Sequence, residues 1–260
     1  MARELFLPVR TPTELDAMRE AGRVVARALQ AVSAAAVPGV RLRELDDLAA
    51  TCIREAGATP SFLGYTPSWA PTPFNGVTCL SVNEVVVHGR PSSRRLWEGD
   101  LLSVDCGAVV DGWNGDSART LHVGEPLAED VRLRQATEDA LAAGIAAARP
   151  GAPLSDIGAA VDAVARAAGY VQLPDHGGHG IGRAMHEAPF VPNAPTREAR
   201  RHRLQPGNTI AIEPMLHAGT SRYRTKSDGW SIVTADGKRA AHAEHTVAVT
   251  DDGPVVLTRV

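Results

Sequence analysis

The first part of the chain has apolar residues at alternating steps of three and four. This spacing predicts an amphipathic helix that begins after Thr11 and ends at Pro38-Gly39. The stripe expected to face the core consists of Leu15, Met18, Gly22, Val25, Leu29 and Val32. Thr11 and Glu14 stand three residues apart and predict a capping box at the helix N-terminus. A second helix with the same kind of stripe follows and ends at Gly57.

The same pair of helices is predicted a second time, 112 residues further along the chain. A helix from about Leu127 to Ala148 runs into Pro150-Gly151, as the first helix runs into Pro38-Gly39. The helix after it ends at Gly169, which stands 112 residues after Gly57. A period of this length indicates a duplicated half-domain and not a solenoid of short repeats.

Stretches rich in Val, Thr and Ile predict strands in both halves. They are Val77 to Val87, Leu101 to Val110, Trp113 to Val123, Thr209 to Ile212, Trp230 to Thr234 and Arg239 to Thr250. Asp111-Gly112 and Asp236-Gly237 are typical of two-residue hairpin turns. Residues 66–73 predict an irregular loop. Helices mixed with antiparallel hairpins indicate an α+β fold, with the helices packed on one face of a sheet.

Composition narrows the class of protein. With 44% hydrophobic residues and 24 Gly and 18 Pro among 260 residues, the chain has too much core for general disorder. Its 27 basic and 30 acidic residues do not form the basic surface of a dedicated nucleic-acid binder. The three cysteines are widely spaced, no apolar run is long enough for a membrane span, and the opening residues do not resemble a secretory signal. We therefore expect a cytoplasmic protein with a single domain, residues 1–260, made of halves at about 11–123 and 124–250.

Two aspartates are predicted to meet on one strand pair. If Asp111-Gly112 forms a two-residue turn, Asp105 lies opposite Ala118, and Asp116 lies two residues from that partner on the same face. The Cα atoms of the two aspartates would then be about 7–8 Å apart. Two carboxylates this close repel each other unless a cation or a shared proton lies between them. A metal ion is one interpretation, and an aspartate that belongs only to an edge or a turn is the other.

Three more residues could join such a site. His179 lies between glycines, which would let a ligand approach its imidazole, although a surface turn is the alternative. Glu213 ends an apolar strand and Glu244 interrupts another, and either could instead form a structural salt bridge. Together with Asp105 and Asp116 they form an oxygen-rich set with enough charge for two divalent ions, and this set suits Mn, Fe or Co.

Five short blocks follow one another along the chain. They are VNEVVVHG (82–89), VDCGAVVDGWNGD (104–116), GHGIGRAMHE (178–187), IEPM (212–215) and EHT (244–246). In this order they resemble type I methionine aminopeptidases, and the resemblance extends from about Thr11 to Val249. It implies the pita-bread fold, in which two pseudo-symmetric halves enclose a dinuclear metal site. It also implies removal of the initiator methionine from nascent proteins and peptides with a small second residue, with two divalent ions drawn from Co, Mn, Fe, Ni and Zn.

The resemblance also implies a role for each residue of the site. Asp105 would chelate one ion, Asp116 and Glu244 would bridge both ions, and His179 and Glu213 would complete the other. Glu213 would also shuttle a proton, while His186 would steady the oxyanion or the scissile peptide. His88 would contact the amide of the second substrate residue. The residues implied around the methionine side chain are Tyr65, Phe74, Cys79, Trp230, Phe62 and Met185.

Three features depart from the family pattern. The loop 66–73 is longer than the usual connection between the aromatic residue and the cysteine strand, so the placement of Phe62 and Phe74 depends on how this loop folds. Met185 stands where a phenylalanine is common, which would alter the pocket without touching the metals. The short segment before the first helix predicts no partner-binding extension.

Two other functions remain open from the sequence. An X-Pro aminopeptidase or dipeptidase would share the fold and the metal ligands, and a binding module without metal would keep only the fold. All five ligand positions are occupied, which favours an enzyme. As partners we expect a substrate with an N-terminal methionine and a transient contact with the ribosome, and we expect neither nucleic-acid specificity nor a membrane. The sequence has no heptad repeat of apolar residues that would form an interface between subunits, which predicts a monomer.

Overall fold

The computed structural model describes residues 7–260, and its helices lie where the apolar stripes predict them. They are α1 (Pro12–Ala35), α2 (Leu42–Glu55), α3 (Ala128–Ala147) and α4 (Ser155–Ala167). Helix α1 has the predicted capping box, because the backbone N–H groups of Thr11 and Glu14 each donate to the other residue's side chain. The expectation about a signal sequence falls partly on residues 1–6, outside the described range. Within residues 7–260 no helix is both long and apolar enough to cross a membrane.

The strands of residues 7–260 form four antiparallel sheets. The strands are β1 (Thr59–Pro60), β2 (Thr78–Val82), β3 (Val85–Val87), β4 (Leu101–Val110), β5 (Trp113–His122), β6 (Val171–Gln172), β7 (Gly177–Gly180), β8 (Glu187–Pro192), β9 (Thr209–Ile212), β10 (Met215–His217), β11 (Tyr223–Thr225), β12 (Ile232–Thr234), β13 (Ala240–His242), β14 (His245–Thr250) and β15 (Gly253–Val256). One sheet has the order β15-β14-β9-β7-β8, and another has β1-β4-β2 with β5 beside β4. The two smaller sheets are β13-β10-β6 and β11-β12-β3.

Two predicted strands are divided, and one predicted hairpin is wrong. The stretch Val77 to Val87 turns at Asn83, which has a φ of 58°, and this turn separates β2 from β3. The stretch Arg239 to Thr250 is interrupted just before β14, at Glu244. Asp236-Gly237 does lie between β12 and β13, but β12 pairs with β11 and β3, whereas β13 pairs with β10. The turn is therefore local and does not set the pairing.

The predicted repeat has the same backbone geometry in both copies. Gly39 and Gly151, which stand 112 residues apart, have φ values of 94° and 79°. Gly57 and Gly169 close the second helix of each pair with φ values of 69° and 78°. A side chain is disfavoured at these φ values, which explains why glycine occurs at both ends of the repeat. Helix α1 packs against α2, and α3 packs against α4.

The helices cover one face of the sheets, and polar residues lie on the other. In the first half the alternate residues Leu102, Val104, Cys106 and Ala108 of β4 belong to one core with residues of α1 and α2. In the second half residues of β9 and β14 share a core with residues of α3 and α4. Because successive side chains of a strand point to opposite faces, Ser103 and Asp105 point away from the helices. The predicted α+β arrangement is confirmed, and the face opposite the helices holds the candidate chemistry.

Hydrogen bonds join the two halves along the edges of β5 and β14. The backbone N–H of Glu244 donates to the carbonyl of Ala118 at 2.9 Å, and the Ser117 hydroxyl donates to the carbonyl of Glu244 at 2.6 Å. The Thr246 hydroxyl accepts from the backbone N–H of Asp116 at 2.9 Å and donates to its carbonyl at 2.8 Å. This seam holds Asp116 of the first half beside Glu244 of the second.

Candidate metal centre

The hairpin of β4 and β5 places two aspartates side by side in the register that the sequence predicts. Asp105 lies opposite Ala118, and Asp116 lies opposite Gly107. The turn at Asp111-Gly112 has positive φ at both residues, 49° and 76°, as a two-residue hairpin turn requires. Both carboxyl groups are buried on the face away from the helices, and each has one oxygen without a hydrogen-bond partner. The local sequence therefore brings two acidic groups together where each has an oxygen that no protein group binds.

His179 reaches the same face from β7. Its Nδ1 lies 2.9 Å from the carbonyl of Gly180, which leaves Nε2 to face Glu213 at 3.7 Å from Oε1. Glycine is required on both sides of this histidine because the neighbouring strands pass so close. A Cβ at Gly178 would lie 2.0 Å from the carbonyl oxygen of Ala211, and one at Gly180 would lie 2.5 Å from that of Ala188. The glycines thus allow the strand packing that presents the imidazole.

Glu213 and Glu244 complete the acidic group from the second half. Glu213 follows β9, and its carbonyl accepts a hydrogen bond from Asn193 Nδ2 at 2.9 Å. Glu244 lies between β13 and β14, is 2% exposed, and has one carboxylate oxygen without a partner. Its backbone is fixed by the seam with Ala118. The side chain therefore points into the site from a rigid position.

Ligand atoms from these residues form two overlapping groups among the described residues. Asp116, His179 and Glu244 make one group, and Glu213, His242 and Glu244 make the other, with the atoms of each group within 4.8 Å of one another. Glu244 belongs to both. Asp105, the remaining predicted ligand residue, lines the same cavity, and burial together with the nearby charges of Asp116 and Glu213 raises the pKa of its carboxyl. The structure thus brings the five predicted ligand residues together.

Electrostatics favour a cation at this site. Burial raises the pKa of Asp116 to about 7 and raises those of Asp105, Glu213 and Glu244 well above the usual range, and the charge of Asp116 adds to the effect on these three. Burial also lowers the pKa of His179 to about 3, which keeps its imidazole neutral and able to bind a metal. Unpartnered carboxylate oxygens beside a neutral nitrogen are the donors that divalent ions prefer. The residues therefore fit the expected metal.

The residues implied for the methionine side chain line one apolar cavity beside this centre. They are Phe62, Tyr65, Phe74, Cys79, Met185 and Trp230, which pack as a single cluster. The cavity has a volume of about 330 Å³, and the acidic residues also border it. The long loop 66–73 does not displace its flanks, since Phe74 N–H donates to the carbonyl of Tyr65 at 2.9 Å. The insertion therefore leaves Phe74 in the cavity wall.

Two further histidines stand at the edge of the cavity. His186 lies with its ring centroid 4.2 Å from that of His179, and its Nδ1 is 2.9 Å from the Tyr65 hydroxyl. His88 has a φ of 58° and stands opposite the Trp69 ring. Burial lowers the pKa of both imidazoles, that of His88 to about 3. Neutral imidazoles in these places can donate or accept single hydrogen bonds to a peptide.

Sequence reasoning missed two residues of this site. His242 joins the second ligand group, and the signal for it was its position two residues before Glu244 in a strand-forming stretch. Trp69, which the sequence places only in an irregular loop, lies against His88 and Trp230 at the mouth of the cavity. An exposed tryptophan in a polar loop is the signal that could have found it.

Comparisons with known proteins agree with this geometry. The profile of metallopeptidase family M24 matches residues 16–251. Methionine aminopeptidase 1 of Mycobacterium tuberculosis is 49% identical over 261 residues, covering 97% of this chain and 95% of the relative. Methionine aminopeptidase 1 of Bacillus subtilis is 42% identical, covering 96% and 98%. The crystal structure of methionine aminopeptidase from Rickettsia prowazekii has a TM-score of 0.92 at 35% identity, covering 97% of this chain and all of that chain.

A more distant likeness shows the fold alone. A prolidase from Pyrococcus furiosus has a TM-score of 0.75 at 23% identity, and it covers 97% of this chain but 65% of the prolidase. The shared arrangement is the pita-bread fold, and the prediction of two pseudo-symmetric halves around a central site is confirmed.

Proposed function

Since the chain belongs to metallopeptidase family M24, we propose that its metal centre removes the N-terminal methionine from nascent proteins and peptides whose second residue is small. The chain is a metal-dependent aminopeptidase. One observation carries the substrate proposal: a buried cluster of acidic and imidazole groups borders a cavity lined by sulfur atoms and aromatic rings. Such a wall suits a thioether, because sulfur and aromatic rings attract each other.

Five residues would hold two divalent ions. They are Asp105, Asp116, His179, Glu213 and Glu244. The mixture of carboxylate oxygens and one imidazole nitrogen suits Mn, Fe, Co, Ni or Zn better than Ca or Mg, which prefer oxygen ligands alone. When bound, the ions polarise a carbonyl group and lower the pKa of bound water.

Side chains of the protein would carry out the other steps of the proposed mechanism. The methionine side chain of the substrate occupies the apolar cavity, which would hold the peptide bond beside the metal centre. Glu213 borders the cavity, where its carboxylate would take up a proton and release it to the leaving amine. The Tyr65 hydroxyl can donate to His186 Nδ1, which leaves the proton of the imidazole on Nε2 as a donor toward developing negative charge. His88, which lines the cavity, would contact the amide of the second residue.

The rival function is that of an X-Pro peptidase, since prolidases share the fold. The cavity argues for methionine, because its wall of sulfur atoms and aromatic rings suits a thioether at the first residue. A cytoplasmic location, a monomeric state and contact with the ribosome stay predictions.

A panel of peptides tests the proposed function. We expect efficient cleavage of Met-Ala-Ser and slower cleavage of norleucine-Ala-Ser, in which a methylene replaces the sulfur. The loss should be about 2–10-fold in kcat/KM, because it removes contacts between sulfur and the aromatic rings. Ala-Pro-Ser should be cleaved at least about 100-fold more slowly than Met-Ala-Ser. The measurement is kcat/KM with Mn²⁺ or Co²⁺ in excess.

The chelated protein serves as the control in this panel and should cleave none of the peptides. Preference for Ala-Pro-Ser would refute the proposal in favour of an X-Pro peptidase. Binding of metal without cleavage of any peptide would favour a non-catalytic module.

A further inference from the structure

His242 is a buried histidine whose ring nitrogen faces two acidic groups of the metal centre. The side chain is 2% exposed, and its Nε2 has no hydrogen-bond partner. Both backbone groups of His242 bind Thr120 Oγ1, which accepts from the N–H at 2.9 Å and donates to the carbonyl at 2.8 Å. The backbone that carries the imidazole is therefore fixed, and the ring occupies a defined buried position.

The distances from His242 Nε2 are those of a shared ion and not those of a hydrogen bond. Nε2 lies 3.7 Å from Glu213 Oε2 and 3.9 Å from Glu244 Oε2. A hydrogen bond from nitrogen to oxygen needs about 2.7–3.2 Å. Ligands bind a divalent ion at about 2.0–2.2 Å, so two ligand atoms of one ion can be up to about 4.2 Å apart. Both measured distances fall within that limit.

We propose that His242 is an additional metal ligand, which binds through Nε2 the ion held between Glu213 and Glu244. The inference rests on the metal centre of the proposed function and adds a sixth residue to it. A neutral imidazole nitrogen facing two carboxylates in a buried space lacks a partner until a cation is present. Imidazole ligands suit Fe, Ni and Zn, which are among the ions of the proposed metal centre. His242 would add a second nitrogen ligand beside Glu213 and Glu244, while Asp105, Asp116 and His179 keep their places in the proposed metal centre.

Metal titration of the full chain tests this assignment. The protein, its His242→Gln variant and its His242→Ala variant are stripped of metal and titrated with Co²⁺ by calorimetry, with the visible absorption of Co²⁺ recorded in parallel. We expect one of two equivalents to bind about 10–100-fold more weakly in both variants, while the other keeps its wild-type Kd. The visible bands should shift because a nitrogen ligand is lost. Unchanged bands in both variants would overturn direct ligation, whatever happens to the affinity.

His217→Gln is a matched control, since His217 is also a buried histidine with both ring nitrogens unpartnered but does not line the cavity. It should leave Co²⁺ binding unchanged.

A second experiment uses the wild-type protein, so it does not require that the variants fold. Pulsed electron paramagnetic resonance of the Mn²⁺-loaded chain should show two coordinated imidazoles. A single imidazole would overturn the proposal. Hydrolysis of Met-Ala-Ser by the wild type is scored separately, so failure of the proposed function would leave this result readable.

Trp69 carries a second inference, from a different part of the cavity. The side chain is 55% exposed, yet its ring stacks on His88 with centroids 5.7 Å apart and meets Trp230 edge-on at 4.9 Å. The loop that carries Trp69 is fixed to the cavity wall, because Trp230 Nε1 donates to the carbonyl of Thr72 at 2.9 Å. An exposed ring held in this way forms a wall at the mouth of the cavity.

We infer that Trp69 limits the space for the second residue of the substrate and so selects small side chains there. The inference rests on the proposed function, in which His88 contacts the amide of that residue. Because the Trp69 ring stacks on His88, it would lie beside the second residue when His88 contacts the amide of that residue. A branched side chain at this position would meet the indole.

The ratio of kcat/KM for Met-Val-Ser to that for Met-Ala-Ser tests the role of Trp69. In Trp69→Ala we expect this ratio to rise about 10-fold, because removing the ring opens the space that a branched side chain needs. Trp97→Ala, at an exposed tryptophan that does not line the cavity, should leave the ratio unchanged. An equal fall for both peptides in Trp69→Ala would sink the inference. Wild-type cleavage of Met-Ala-Ser reports on the proposed function independently.

Discussion

The Glu244→Ala variant is expected to lose about 10³-fold or more in kcat/KM for Met-Ala-Ser and to bind at most one divalent ion tightly. Glu244 is the one residue shared by both ligand groups of the described chain, so its removal weakens both at once. The backbone of the variant should stay in place, because the seam to Ala118 uses only the main chain of residue 244. The loss would therefore report on metal binding and not on misfolding.

The measurements are metal content by mass spectrometry and kcat/KM in excess Mn²⁺ or Co²⁺. His179→Ala should behave similarly, since it removes a neutral nitrogen ligand from one group. Glu84→Ala is a matched control, because Glu84 is also a glutamate but lies on the surface near Lys226. Near wild-type turnover of Glu244→Ala under these conditions would contradict the assignment of the metal centre.

The His186→Ala variant should retain its metal and lose about 10²–10³-fold in kcat, because the proposed donor acts on charge that develops in the transition state. His186 belongs to neither ligand group of residues 7–260, although its ring lies beside that of His179. The loss should appear in kcat and kcat/KM alike, as for an interaction made mainly in the transition state.

Tyr65→Phe separates the role of the imidazole from its orientation. This variant removes the hydroxyl that lies 2.9 Å from His186 Nδ1 but keeps the ring in the cavity wall. We expect a smaller loss than for His186→Ala, since the donor remains and only its tautomer is less fixed. Loss of metal from His186→Ala, measured by mass spectrometry, would show that the histidine is a ligand and would refute its proposed role.

Patterns among neighbouring residues predicted the structural elements that depend on local sequence. The pairing of β4 and β5 followed from Asp111-Gly112, because a two-residue turn fixes the register of both strands. Asp236-Gly237 has the same two residues but positive φ only at Gly237, and it predicted the wrong pairing because β12 and β13 find partners from other parts of the chain. A turn sequence determines register only where the strands beside it have no better partner.

Local sequence patterns could not predict which distant residues lie close together in the fold. The contact of Asp116 with Thr246 and of Ala118 with Glu244 depends on how two halves pack, and only the resemblance to a known family predicted that these regions meet. His242 was missed because a histidine among alanines looks like a core residue until its neighbours across the sheet are known. Trp69 was missed because the conformation of an eight-residue loop depends on the wall it rests against.

The seam between β5 and β14 gives the two ligand groups different mechanical roles. One group draws Asp116 from the first half and His179 and Glu244 from the second, whereas the other draws all three of its residues from the second half. An ion bound by the first group would tie the duplicated halves together across the seam, whereas the second group contributes ligands from one half alone. Chelation should thus make the seam more flexible without separating the halves, because the pairing of β3 with β12 also joins them.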